Sequence, residues 1–174
     1  MSIRLSPSLE DHRIAKLAAI SVGIAVIEAA IPSPLPGIKP GLANIIAIAV
    51  YFLLGWRAAA WVSILRILVS GLILGTFLSP GFILSVAGGV SSLIALALLS
   101  HIGKLGLSPV GVAILAALAH SLGQFVVAYW LFVPHPGLFY LLPVFLTAAL
   151  VFGLISGFLS QMLITKYRVQ HEFS

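Results

Sequence analysis

Apolar residues run along this chain in six long stretches, broken only by proline, glycine or charge. They are Ile14–Ile31, Leu42–Leu54, Ala58–Leu78, Phe82–Ser100, Val110–Val133 and Leu138–Thr165. The breaks are Pro32–Pro40 (PSPLPGIKP), Gly55-Trp56-Arg57, Ser79-Pro80-Gly81, His101–Ser108 and Pro134-His135-Pro136-Gly137. No run shows the period-two alternation of a membrane β-strand. A helix needs roughly 20 apolar residues to cross a hydrocarbon core of about 30 Å. The pattern therefore predicts an all-α integral membrane protein: one domain of six transmembrane helices with tails at 1–13 and 166–174. Ser79-Pro80 and Ser108-Pro109 each set a capping hydroxyl before a proline, a favourable way to start a helix. The second run is short, and is expected to begin inside the bilayer beneath the Pro32–Pro40 loop.

Composition removes the soluble alternatives. Hydrophobic residues make up 61% of the chain and charged residues 7%, against roughly 25% charged in a typical soluble domain. Mean hydropathy is +1.20. Six spans use nearly the whole length, so no extramembrane domain is expected, and Ile14–Ile31 reads as a retained span and not a signal peptide. The absence of cysteine excludes disulfides, thiolate metal sites and cysteine nucleophiles.

The net charge of +5 would raise nucleic acid as a partner in a soluble protein. Here the basic residues flank the apolar runs. With the N-terminus inside, Arg4, Arg13, Lys16, Arg57, Lys104, Lys166 and Arg168 lie on the cytoplasmic side and Lys39 outside. That asymmetry predicts cytoplasmic N- and C-termini in a multi-pass protein of the cell (inner) membrane, with the lipid bilayer as its surroundings and no nucleic-acid partner.

Ionisable groups inside spans are expensive and mark functional candidates. The polar or ionisable candidates here are Glu28, Arg66, His120 and Gln124, with Asn44 and Lys39 at the outer margin. Helical rise places Glu28 and Arg66 within roughly 9 Å in depth, so a structural ion pair is one reading, and pairing of Glu28 with Lys39 another. The charge count favours a ligand site: Lys39 and Arg66 face one acid, leaving a net positive, apolar-walled region suited to a carboxylate or phosphate on an apolar body. His120 and Gln124 share a face of the fifth span, poised for an interhelical hydrogen bond or for ligand contact. A metal site is not expected, because no second intramembrane histidine or spare carboxylate completes a shell. No catalytic residue and no cofactor are expected either.

Small residues supply packing signals. Gly71-x-x-x-Gly75 and Gly153-x-x-x-Gly157 permit close backbone approach. Ser85, Gly88, Gly89, Ser91 and Ser92 make one side of the fourth span small and polar, and Ala15, Ala19 and Gly23 form a stripe on the first. The stripe serves internal packing or docks a membrane partner. Trp56, Trp61, Tyr129 and Trp130 sit near span ends as interfacial anchors.

The stretch KPGLANI (Lys39–Ile45), Leu65-Arg66 and SPGFILSVAGGVSS (Ser79–Ser92) resemble the family of Gx transporter proteins, also called heptaprenyl diphosphate synthase component I, over roughly Ile14 to Thr165. That family in turn resembles the substrate-binding S components of energy-coupling-factor (ECF) vitamin transporters. The resemblance implies six helices, cytoplasmic termini, a lid at Pro32–Pro40 and a coupling stripe at Ala15-x-x-x-Ala19. It also implies an ECF-type coupling subunit and ATPases as partners, consistent with the lack of a Walker motif here. Its synthase name implies prenyl chain elongation, which needs Mg²⁺ held by clustered aspartates; the chain has one aspartate, Asp11. The expectation is therefore a subunit that binds a small, anionic, amphipathic molecule and moves it inward, held by Lys39, Asn44 and Arg66, with Glu28 orienting Arg66 and His120 and Gln124 bonding the body. The other expectation is a non-catalytic accessory to isoprenoid or quinone synthesis, and a third a secondary transporter with a proton site at Glu28 or His120.

Overall fold

The computed structural model describes residues 8–30, 41–101 and 106–172. Among these the chain folds into six α-helices: α1 Leu9–Ala30, α2 Leu42–Leu54, α3 Trp56–Ile73, α4 Pro80–His101, α5 Pro109–Val127 and α6 Leu142–Glu172. A π-helical turn, Ala128–Phe132, prolongs α5, and a 3-10 turn, Pro136–Leu141, leads into α6.

Local chemistry sets the helix ends. The Ser79 hydroxyl accepts from the Phe82 amide at 3.2 Å and that of Ser108 from the Gly111 amide at 3.2 Å, so both Ser-Pro pairs open helices. α1 starts earlier than the hydropathy pattern places it. Ser8 and Asp11 cap it reciprocally: the Asp11 amide donates to the Ser8 hydroxyl, and the Ser8 amide to the Asp11 carboxylate, a capping box within the stretch expected to be a tail. α3 stops at Ile73, short of the expected Leu78. Gly75 adopts φ +64, its amide donates to the Leu72 carbonyl and that of Thr76 to the Gly71 carbonyl, the Schellman ending. Gly75 thus ends a helix and does not pack against one. α6 begins at Leu142 and passes Thr165 to Glu172, because nothing in Lys166-Tyr167-Arg168 breaks a helix and basic residues suit its C-terminal end.

Successive helices run antiparallel and pack in the order α1, α3, α4, α5, α6. The short α2 lies between α1, α3 and α6, while α1 and α6 scarcely touch. Small residues set the closest seam. A Cβ on Gly157 would lie 2.7 Å from the Val110 Cα, and one on Gly153 3.0 Å from the Ile114 Cα. Such contact is what holds helices together where lipid removes the hydrophobic incentive to associate. Gly71 instead receives the Phe82 ring from α4.

Among the described residues four stretches are long and apolar enough to cross a membrane: Trp56–Ile73, Pro80–His101, Pro109–Phe132 and Pro136–Gln170. Their outward faces are leucine, isoleucine, valine and phenylalanine. This is a multi-pass membrane protein. α1 carries Arg13, Lys16 and Glu28, and α2 is apolar but spans only about 20 Å.

Candidate ligand-binding site

Antiparallel order brings the C-terminal parts of α1, α3 and α5 and the N-terminal parts of α2, α4 and α6 to one end of the bundle. There they enclose a cavity of about 700 Å³, lined from all six helices. Five of the polar residues singled out in the sequence line it: Glu28, Asn44, Arg66, His120 and Gln124. The sixth, Lys39, lies outside the described residues, as does the Pro32–Pro40 loop.

At the cavity's inner end the Arg66 Nη1 donates to the Asn44 Oδ1 at 3.1 Å. Arg66 is 9% exposed and Glu28 6%. Glu28 accepts from the Gly41 amide, which ties the start of α2 to the end of α1; Gly41 itself sits at φ +68, a conformation glycine adopts without penalty. The sequence assigned Glu28 to orient Arg66. In the structure the Arg66 guanidinium donates to the Asn44 side-chain oxygen, and Glu28 lines the same cavity. One of the five guanidinium N–H groups goes to Asn44; the fork's geometry suits a planar anion.

His120 stands across the cavity from α1 and leans on α4. Its Nε2 edge lies against Gly88. Its Nδ1 is buried without a partner among the described residues. Gln124, one turn further along α5, shares the Gly88 contact. Beneath the main cavity a second space of about 10 Å³ lies among Asn44, Ser63, Arg66, Ser92, His120 and Ser156, so the polar layer continues inward past Arg66.

Sequence reasoning missed several of the walls. Ser70, Ser121 and Ser156 line the cavity with Phe82, Phe145 and Phe152. Ser121 was findable, being three residues before Gln124 on one helical face. The phenylalanines carry no signal, since hydropathy cannot separate a ring facing a ligand from one facing lipid. The small, polar residues of α4 divide: Ser85 lines the cavity, whereas Ser91 lies in an outer apolar groove between α4 and α5.

The α1 stripe is separate from this site. Ala15, Ala19 and Gly23 are exposed, and a Cβ on Gly23 would meet nothing within 4 Å, so internal packing does not account for it. Among the described residues no group of three or more His, Cys, Asp or Glu could hold a metal ion.

The family model described as heptaprenyl diphosphate synthase component I matches residues 17–163. No curated protein and no solved structure matches the chain.

Proposed function

The chain belongs to the heptaprenyl diphosphate synthase component I family, and from that premise we propose that it is the non-catalytic, ligand-binding membrane component of such a system. The convergence of Glu28, Asn44, Arg66, His120 and Gln124 on one cavity carries the reading. Buried polar groups in a membrane bundle are costly unless they serve packing or a ligand, and a space of about 700 Å³ falls in the range of small-molecule sites. Arg66 and Asn44 engage the anionic end of an amphipathic molecule, while His120 and Gln124 bond its body. Catalysis belongs to a partner protein, because the chain has four carboxylate side chains, Glu10, Asp11, Glu28 and Glu172, and of the three whose burial is described only Glu28 lies in the bundle's interior. In this reading all six helices cross the cell membrane with both termini inside.

A second reading, uptake of the ligand with energy from ATPase partners, is favoured by the exposed Ala15, Ala19 and Gly23 stripe, which offers a coupling subunit a close-packing face. Native mass spectrometry of the purified protein tests both. A bound small molecule is expected, and it disappears in Arg66→Gln while the helical circular-dichroism spectrum stays intact. If Arg66→Gln unfolds the bundle, Arg66 is structural and the site assignment falls. Copurification of a soluble aspartate-rich prenyl synthase supports the first reading. A membrane coupling subunit lost in Ala19→Leu supports the second.

A further inference from the structure

We infer that one water molecule is held beneath the large cavity, in the space of about 10 Å³ bordered by Asn44, Ser63, Arg66, Ser92, His120 and Ser156, where it bridges helices and holds Arg66 from below. The inference stands apart from the reading of the large cavity as a ligand site.

Partners are the first ground. Interior waters persist where two to four polar groups converge on a space near the size of one molecule. Arg66 has five N–H groups and gives one, from Nη1, to Asn44. Ser63 lies one turn before Arg66 on the same face of α3, and Ser92 borders the space from α4. Among the described residues the hydroxyls of Ser63 and Ser92 have no protein partner. Ser156 differs: its hydroxyl already donates to the Gly153 carbonyl, leaving only its oxygen to accept. The His120 Nδ1 is buried and has no partner among the described residues, a state that native interiors rarely leave unserved. A water both donates and accepts. It receives a hydrogen bond from Arg66 and gives its own to a serine oxygen or to His120.

Enclosure and charge are the second ground. Ile48, Leu96, Ala113 and Ala116 border the same space and pack with Val112 into a buried apolar cluster. The polar layer ends on these side chains, so a water there has no polar route onward. Among the described residues Arg66 is the one formal charge bordering the space. It excludes a cation, and the small volume favours water over a halide. Between helices surrounded by lipid, such a bridge supplies cohesion that apolar contact does not.

The experiment is a crystal structure of the full-length detergent-purified protein, at a resolution that shows ordered water. Bromide-soaked crystals and the Ser92→Val and Ser92→Ala variants accompany it. The wild type is expected to show density about 2.7–3.2 Å from an Arg66 nitrogen and from the hydroxyl of Ser63 or Ser92, with no anomalous signal there after bromide. Ser92→Val, whose second methyl takes the water's place, loses the density. It melts at a lower temperature than Ser92→Ala, because Arg66 and His120 then lose a buried partner. Well-ordered Arg66, Ser63 and Ser92 side chains with no density among them overturn the inference. So does a bromide peak at that point, which makes the occupant a halide, and so does density that persists unchanged in Ser92→Val. The wild-type map decides even if neither variant folds. A missing water leaves the ligand-site reading standing, since that reading is tested by Arg66→Gln.

Discussion

Gly88 and His120 show how one residue's lack of a side chain places another's. A Cβ on Gly88 would lie 2.6 Å from the His120 Nε2 and 2.8 Å from the Gln124 Cγ, closer than atoms tolerate, so only glycine lets both side chains lie flat on α4. Gly88→Ala is therefore expected to push His120 and Gln124 off α4 into the cavity. Overpacking of this kind typically costs about 1–3 kcal/mol. Ligand affinity falls with it, measured by titration calorimetry beside a thermal melt. A variant that keeps full affinity would show that neither side chain touches the ligand. At the opposite end of the molecule, outside the bilayer, Ser8 holds the Asp11 carboxyl below the usual carboxylate range, first through its amide and then through its hydroxyl. A depressed acid stabilises the folded first turn above the ordinary carboxylate pKa and loses that contribution as pH falls through the depressed value. Amide exchange at Glu10–His12 is expected to quicken at low pH, and Ser8→Ala to bring that loss to higher pH. Unchanged exchange across the titration would mean that the box does not hold the turn.

At the scale of elements, two glycine features with the same spacing logic do different work. Gly153 and Gly157 sit on backbone of α5, so Gly157→Leu is expected to part α5 from α6 and lower the melting temperature in detergent. Gly23 faces open space, so Gly23→Leu leaves the melt unchanged while weakening any partner complex that uses the α1 stripe. If both variants melt as the wild type, close packing does not hold the α5–α6 seam. The same contrast marks what the sequence could reveal. α2 was legible to the residue because Gly41 and Gly55 bound it, both at positive φ. The ends of α1 and α6 were not, because hydropathy reports which solvent surrounds a residue and not whether its backbone is helical; Glu10, Asp11, Lys166 and Arg168 stay helical in water. The end of α3 was hidden for another reason: Gly75 can pack or terminate, and only its φ decides. Arg66, Glu28 and His120 stood out because charge is rare in the runs. Ser70 and Ser121 did not, since a serine is cheap in a helix that can take its hydroxyl, as Ser70 bonds the Ile67 carbonyl.

The whole molecule poses a question that its second helix makes sharp. α2 covers about 20 Å, less than a hydrocarbon core of about 30 Å, yet Gly41 meets Glu28 near the end of α1 and Gly55 leads straight into α3. If α2 crosses, aided by local thinning or by polar flanks at its ends, the six helices alternate and both termini share a side. An α2 that dipped and returned would leave α1 and α3 ending on opposite sides, against their shared end at the cavity. The positive charges at Arg13, Lys16, Arg57, Lys166 and Arg168 favour the first arrangement, all of them then facing the cytoplasm. The chain has no cysteine, so single cysteines report position without background. Leu9→Cys and Arg168→Cys are expected to react with a membrane-impermeant maleimide only after the cells are opened. Tyr140→Cys, 86% exposed at the turn between α5 and α6, should react on intact cells. Labelling of Leu9→Cys and Arg168→Cys from opposite sides would overturn the antiparallel arrangement in which α1 and α3 both end at the cavity. The cavity end would stay where it is relative to α5 and α6, since Tyr140 fixes that end independently.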